Sequence, residues 1–202
     1  MPRISAAREE ATRRRILNAA REVFVDKGLD GASIDDVVAA AGLSVGAIYN
    51  YFPTKDELIR QCIDHAVKEE TAALLADTQA AGSATERIDR GLRGWWKYTL
   101  DVPGGAAFLA QAWGAASRRP LIRDLMARRF ERGVTVNSLL FRACVEHGEL
   151  PAGLDIDGLA RTVQALLDGM ILEYVVSGGT LRRAEVQKRL RFVLDAAMAG
   201  CA

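Results

Sequence analysis

The sequence contains few of the residues that build metal, disulfide or redox sites. It has three cysteines, none of them in a CxxC pair, and only two histidines. An odd number of cysteines without paired spacing argues against a disulfide framework and against a thiolate zinc cage. Two histidines are too few for a multi-histidine metal site. We therefore expect the protein to use neither a metal nor a cofactor.

The net charge is small, and long apolar runs are few. The 27 basic residues are almost balanced by 26 acidic ones, which excludes a highly basic nucleic-acid coat and an acidic disordered tail. The first residues lack the apolar core of a secretory signal. The uncharged stretch 102–117 contains a proline and several glycines, so it is unsuited to spanning a membrane. We expect a soluble, cytoplasmic protein without a membrane partner.

Alanine, in contrast, is abundant, with 33 residues against five prolines. Alanine is the best helix former and proline the worst, so the composition predicts an all-α fold. Capping residues and glycine stops divide the N-terminal part into four helices. They are expected over about 7–27, from Ser33 to Gly42, over 45–51, and from Thr54 to about 77.

The second and third helices are short and are joined by a glycine-containing turn, which is the pattern of a helix-turn-helix. In that motif the second helix enters the major groove of DNA and its N-terminal residues face the bases. Ser44 offers a hydroxyl group and a helix N-terminus, which favour a phosphate. Small residues at 46 and 47 would let the helix approach the bases closely.

Hydrogen-bonding side chains follow on the same helix. Tyr49, Asn50 and Tyr51 supply hydroxyl and amide groups, and asparagine is a natural reader of adenine. Ile48 and Phe52 are predicted to turn inward and to fix the helix to its neighbours.

Five arginines lie among the first 15 residues, where only two glutamates oppose them. A flexible basic arm would contact phosphates or the minor groove, whereas a solvated charge cluster explains the same pattern without DNA. The arginines are Arg3, Arg8, Arg13, Arg14 and Arg15.

Residues 10–70 resemble the DNA-binding domain of TetR/AcrR-family transcriptional regulators. The matching features are Thr12–Leu17, Phe24, Gly28, Ser33–Val37, and Ala41–Phe52 followed by Lys55 and Leu58. The resemblance implies phosphate contacts by Ser33 and Lys55, and DNA contacts by Tyr49 and Tyr51, for which packing is the alternative. The residues that it implies face the groove are Val45, Gly46, Ala47 and Asn50.

The rest of the chain, 78–202, is predicted to form a helical bundle as a second domain. Apolar periodicity and breaking residues place helices from Ser83 to about Leu100 and over about 106–117, 121–147, 155–176 and 181–199.

In this domain aromatic residues lie beside small ones in the sequence, and this combination suits the wall of a ligand cavity. Most of the apolar residues of the domain are nevertheless expected to form its core. Asn137 lies on an apolar face, so its amide needs a partner, which Gln111, Gln164, water or a ligand would supply. The family resemblance implies a small-molecule effector, for which we expect an apolar or aromatic compound. The candidate effector contacts are Trp95, Trp96, Phe108, Gln111, Trp113, Phe130, Asn137 and Phe141.

The helix over 155–176 is apolar on more than one face, which indicates burial on two sides. One side serves the core and the other a partner subunit, and a glycine at 169 would permit close helix approach. The stretch resembles the family's dimer-forming helix, with a plain interior helix as the alternative. The candidate interface residues are Leu166, Gly169, Met170 and Tyr174.

Together these features predict a homodimeric regulator, a repressor that binds a palindromic operator and is released by a ligand. The alternative is a small-molecule-binding bundle or an enzyme without a DNA role. The sequence lacks a nucleophile elbow, a phosphate-binding glycine loop and an obvious acid–base pair, so no catalytic residue is expected. A purely architectural DNA binder fits poorly with the large aromatic C-terminal part.

Overall fold

The computed structural model describes residues 6–65 and 82–200, which form helices and no strands. These ranges leave out part of the predicted fourth helix, Arg3 near the N-terminus, and the last two residues. The helices are α1 (Ala6–Gly31), α2 (Ile34–Ala41), α3 (Val45–Tyr51), α4 (described over 55–65), α5 (Ala84–Thr99), α6 (Gly105–Ala116), α7 (Pro120–Glu146), α8 (Ile156–Val176) and α9 (Arg183–Ala199).

The predicted capping residues begin and end the N-terminal helices. Gly28 interrupts α1 with a φ of 79°. Ser33 and Asp36 form a complete capping box at the start of α2, and Gly42 ends that helix in the left-handed conformation. The Ser44 hydroxyl accepts a hydrogen bond from the amide of Ala47 at 3.2 Å. These local predictions are confirmed, because each depends only on side chains within a few residues of the helix end.

Replacing Gly42 by alanine is expected to lower the free energy of unfolding by about 1–2 kcal/mol. Gly42 has a φ of 59°, which an alanine adopts only with strain, and an added Cβ would lie 2.9 Å from Nη2 of Arg15. Urea denaturation followed by circular dichroism measures the change.

The matched control is Gly46→Ala, because a Cβ at Gly46 meets nothing within 4 Å. An alanine inside α3 should hold or slightly raise stability. An unfolding midpoint for Gly42→Ala equal to that of the wild type would contradict the prediction.

The described residues form two compact units that do not follow the order of the chain. The first contains 6–65 together with 107–125, and the second contains 82–106 together with 126–200. The sequence predicts a domain boundary at 70–78, with 107–125 in the second domain. The spatial grouping instead assigns 107–125, which contain most of α6 and the start of α7, to the first unit.

Side chains of α6 explain why this segment groups with the N-terminal helices. Phe108 stacks on Phe24 of α1, with ring centroids 6.4 Å apart, and both rings are buried. Gln111 Nε2 donates a hydrogen bond to the carbonyl oxygen of Val25 at 2.9 Å. Apolar contact and a side-chain-to-backbone hydrogen bond together hold α6 against α1.

The described helices of the second unit are α5, the larger part of α7, α8 and α9. Its core contains Trp95, Phe141 and Met170, each at most 2% exposed. A buried ion pair joins α7 to α8, since Arg129 Nη1 lies 2.6 Å from Asp168 Oδ1. Removing one partner of such a pair would strand a buried charge, so the pair fixes how these two helices meet. Within the described ranges, no helix has the length and apolar character needed to cross a membrane.

Candidate DNA-binding surface, apolar cavity and outer stripe

Helix α3 separates an inward face from an outward face, as the sequence predicts. Ile48 and Phe52 are fully buried, whereas Val45 is 43% and Tyr49 is 45% exposed. The two inward residues therefore anchor the helix in the first unit and leave the other side open. We call this open side the recognition face, which consists of Ser44, Val45, Gly46, Tyr49 and Asn50, all exposed.

The other predicted DNA contacts are less exposed to solvent. Ala47 and Tyr51 are half-buried. Lys55 is also half-buried, and its Nζ donates a hydrogen bond to the carbonyl oxygen of Asp30 at 3.1 Å. A phosphate contact by Lys55 would therefore exchange this carbonyl for a charged partner, which forms the stronger hydrogen bond.

Ser33 is committed to capping α2. Its backbone N–H and its hydroxyl both donate to Oδ2 of Asp36, at 2.8 and 2.7 Å. Lys27 Nζ lies 2.6 Å from the other carboxylate oxygen. The hydrogen bonds from Lys27 and Ser33 hold the pKa of Asp36 far below its usual range. A phosphate at Ser33 would compete with this carboxylate, whereas the Ser44 hydroxyl has no acceptor among the described residues and keeps its hydrogen to donate.

The basic N-terminal segment is helical from residue 6, so its described arginines belong to α1 and not to a flexible arm. Arg13 lies over the ring of Tyr51, with its guanidinium carbon 5.7 Å from the centroid, and donates to Gln61 Oε1 at 2.5 Å. Arg15 donates to the carbonyl oxygen of Gly42 at 3.3 Å. These two arginines hold α3, α4 and the turn before α3 against α1, a role that charge counting does not predict.

An ionic cluster at one end of the first unit was not predicted from the sequence. Arg119, directly before α7, bonds to the carboxylates of Asp30 and Asp56. Arg118 Nη2 lies 3.7 Å from Asp30 Oδ2. Arg119 is 22% exposed, so its pairings are more shielded than those of an ordinary surface arginine. The cluster connects the α6–α7 turn to the start of α4, where Lys55 lies.

In the second unit, helices α5, α7, α8 and α9 enclose a cavity with about 590 Å³ of empty space, counted out to its open mouth. We call it the apolar cavity. Three of the predicted effector contacts line it: Trp95, Asn137 and Phe141. The described residues that line it are Ile88, Gly91, Leu92, Trp95, Gly133, Val136, Asn137, Leu140, Phe141, Val163, Gln164, Leu167, Leu190 and Leu194.

The other predicted effector contacts have different surroundings. Phe108 and Gln111 pack on α1, as described above. Trp96 donates its indole N–H to Asp101 at 2.8 Å and packs edge-on against Tyr174. Trp113 belongs to the first unit. The ring of Phe130 lies beneath the guanidinium of Arg161 at 5.6 Å. None of these five is among the residues that line the apolar cavity.

Exposed apolar residues form a line along α8. Ala165, Gly169, Leu172 and Val176 are spaced by four, three and four residues and are all exposed, with Val176 at 83%. Helix α9 packs against α8 and carries Phe192, which is 73% exposed. We call these five residues the outer stripe. A row of apolar side chains at this spacing is typical of a helix that packs against a partner.

Of the predicted interface residues, only Gly169 belongs to the outer stripe. Met170 is 1% exposed and packs inside its own protomer. Leu166 and Tyr174 are half-buried, and Tyr174 contacts Trp96. The sequence pattern predicted a helix with two apolar sides, and α8 carries an exposed apolar line, but two-sided apolarity alone does not reveal which side the core covers.

The thiols do not provide a reactive nucleophile within the described residues. Burial raises the pKa of Cys62 to about 12, and burial also raises the pKa of Cys144. Both thiols stay protonated at neutral pH, and the thiolate is the nucleophilic form.

Family models match both parts of the chain. A model described as bacterial regulatory proteins, tetR family, matches residues 16–62. A model described as BetI-type transcriptional repressor, C-terminal, matches residues 84–199. The first covers α2, α3 and the recognition face, and the second covers the helices of the apolar cavity and the outer stripe.

Individual relatives agree with these matches over most of the chain. The HTH-type transcriptional regulator SrpR of Pseudomonas putida is 28% identical over 181 residues, which cover 86% of this chain and 79% of that protein. A structure described as a transcriptional regulator from Pseudomonas aeruginosa PAO1 has a TM-score of 0.83 at 23% identity, with 98% and 95% of the two chains covered. A transcriptional regulator from Saccharomonospora viridis in complex with choline has a TM-score of 0.75 at 24% identity, with 93% and 96% covered. The two structures are similar to this chain in fold.

Proposed function

Because this chain belongs to the TetR family of bacterial transcriptional regulators, we propose that it is a cytoplasmic, homodimeric repressor whose operator binding is released by a small molecule. The observation that carries the DNA-binding role is the recognition face. An exposed face of small and hydrogen-bonding residues is mounted on a helix whose other side is fully buried. Such a helix is held rigidly enough to present base-reading groups to the major groove.

The recognition face supplies three kinds of contact. Ser44 at the helix N-terminus donates to a phosphate. Asn50 and Tyr49 carry the groups that hydrogen-bond to base edges or backbone. Gly46 has no side chain, and an added Cβ there would meet nothing within 4 Å, so it leaves room for the edge of a base.

The outer stripe supports assembly into a dimer. In a twofold interface the same patch of both subunits meets, and the stripe supplies exposed apolar residues of α8 and α9 for such a patch. Two copies of the recognition face would then reach successive major grooves, about 34 Å apart. The operator is therefore expected to be a palindrome.

Ligand release requires a route from the apolar cavity to the DNA-binding residues, and α7 provides one. Residues 120–125 of this helix belong to the first unit and the remainder to the second. Gly133 and Asn137 of α7 line the cavity, and Arg119 directly precedes the helix. A ligand that shifts α7 would act on the pairing of Arg119 with Asp56. The ligand weakens DNA binding only to the extent that it binds the shifted state more tightly than the unshifted state.

The choline seen in the Saccharomonospora viridis regulator does not suit this cavity well. A quaternary ammonium is recognised by aromatic cages or by opposite charge. Among the described residues that line the cavity, two are aromatic, Trp95 and Phe141, and none carries a carboxylate. The effector of this chain is therefore proposed to differ from choline in charge.

The first experiment is selection of genomic fragments of the source organism by the purified protein at physiological salt, followed by footprinting. Enrichment of one duplex with a protected palindrome near a promoter supports the proposal. Binding should weaken steeply as salt rises, because phosphate contacts release counterions. A folded, dimeric protein that enriches no fragment would contradict the repressor function.

A further inference from the structure

On the basis of the proposed ligand-released function, we propose that the apolar cavity binds an uncharged ring compound that carries a primary amide, or a group with the same pairing of donor and acceptor. Three features of the cavity support this ligand class: its lining, one amide pair inside it, and a buried donor without a partner among the described residues.

The described lining residues favour an uncharged ligand. Of the described residues that line the cavity, none is charged, and Asn137 and Gln164 supply its only amide side chains. A charged group buried here would lose its hydration without gaining an opposite charge. Asp89 and Arg191 instead line a neighbouring space of about 340 Å³, where Gln187 donates to Asp89 at 3.2 Å.

The amide pair defines what a ligand must offer. Asn137 Nδ2 donates to Gln164 Oε1 at 3.3 Å, which uses one donor and one acceptor. Within the described residues, Gln164 Nε2 and Asn137 Oδ1 have no further partner. Gln164 is only 5% exposed and lines the cavity, so its Nε2 group gains from a hydrogen bond to a ligand there. A ligand with one acceptor and one donor side by side satisfies both amides, whereas a carboxylate lacks the donor and an ammonium lacks the acceptor.

Gly133 is the residue that makes room for this pair. A Cβ built on Gly133 would lie 2.1 Å from Oε1 and 2.4 Å from Cδ of Gln164. The Gln164 amide therefore lies directly against the backbone of α7. Any larger residue at 133 would push that amide out of its position and separate it from Asn137.

Trp95 adds a third polar group to an otherwise apolar wall. Its side chain lines the cavity and the residue is 2% exposed, yet its indole N–H has no acceptor among the described residues. Buried donors are normally paired. A ligand carbonyl oxygen supplies the missing acceptor.

The test compares three ligands with one ring system and different charge: 2-naphthamide, 2-naphthoate and 2-naphthylmethylammonium. Isothermal titration on the full-length protein without DNA is expected to show the amide binding about ten-fold or more tightly than either ion. Equal or tighter binding of an ion, or no binding of the amide, overturns the proposal.

Two variants and one control locate the site. Gly133→Ala and Gln164→Met are each expected to weaken naphthamide binding about ten-fold or more, the first by displacing the amide and the second by removing it at similar volume. Gly114→Ala is the matched control, because a Cβ there meets nothing within 4 Å. Thermal melts verify that each variant is folded. Unchanged affinity in Gln164→Met overturns the proposal even if Gly133→Ala does not fold.

Failure of this proposal is distinguishable from failure of the proposed function. Titration without DNA reports the ligand class alone, and fragment selection reports DNA binding alone. An operator that is found while naphthamide does not bind removes the ligand class and leaves the DNA-binding function. Naphthamide that binds without releasing the operator supports the ligand class and removes ligand release.

Discussion

Replacing Tyr49 by alanine is expected to weaken operator binding about ten-fold or more without unfolding the protein. Tyr49 is 45% exposed on the recognition face, so its loss removes a proposed DNA contact and leaves the core intact. Each protomer of the proposed dimer carries one copy, so both half-sites lose the contact. Fluorescence anisotropy with the selected duplex measures the affinity, and circular dichroism measures the melting temperature.

Two further variants decide what the tyrosine contributes. Tyr49→Phe keeps the ring, so it separates the contribution of the hydroxyl group from that of the ring. Tyr98→Ala is the matched control, because this half-buried tyrosine of α5 lies in the second unit beside Lys97. Its removal should leave DNA affinity unchanged. A native melting curve for Tyr49→Ala together with wild-type affinity would remove Tyr49 from the DNA-binding site.

Replacing Phe192 by lysine is expected to convert the proposed dimer into monomers. Phe192 is 73% exposed in the protomer, and aromatic residues often dominate interface energies, at about 2 kcal/mol or more. In a twofold interface the substitution occurs twice, so the dimer dissociation constant should rise about a thousand-fold. Sedimentation velocity at micromolar concentration measures the oligomeric state. Operator affinity should fall as well, since a monomer binds only one half-site.

Val45→Lys is the matched control for the oligomeric state. Val45 is also an exposed apolar residue, at 43%, but it lies on the recognition face and outside the outer stripe. This variant should remain dimeric. If Phe192→Lys also remains dimeric at the same concentrations, Phe192 is not part of the interface.

The recognition face could be predicted from the sequence because the features that build it are local. The caps at Ser33 and Ser44 join atoms three residues apart, and the φ of Gly42 is a property of one residue. The spacing of Ile48 and Phe52 then determines which side of α3 is buried. These interactions depend on helix periodicity and on hydrogen bonds within one turn.

The residues that line the apolar cavity were harder to predict, because an apolar stripe shows that a helix packs but not which helix it meets. Phe108 and Gln111 suggested a cavity, yet they contact α1, and the Gln111–Val25 hydrogen bond joins residues 86 positions apart. Asn137 was predicted to need a partner, and Gln164 supplies it. Which of the candidate partners bonds to Asn137 depends on how α7 packs against α8.

The sequence by itself determined the N-terminal helices, their caps, the outward face of α3 and the family. These features depend on short-range hydrogen bonding and on motif spacing. Only the tertiary structure decided that α6 groups with the N-terminal helices, that Arg119 pairs with Asp30 and Asp56, and that the Gln164 amide lies against Gly133. These contacts join residues 31 to 89 positions apart in the chain. Such pairs form only when whole helix faces pack, and the energy of that packing is shared among many side chains.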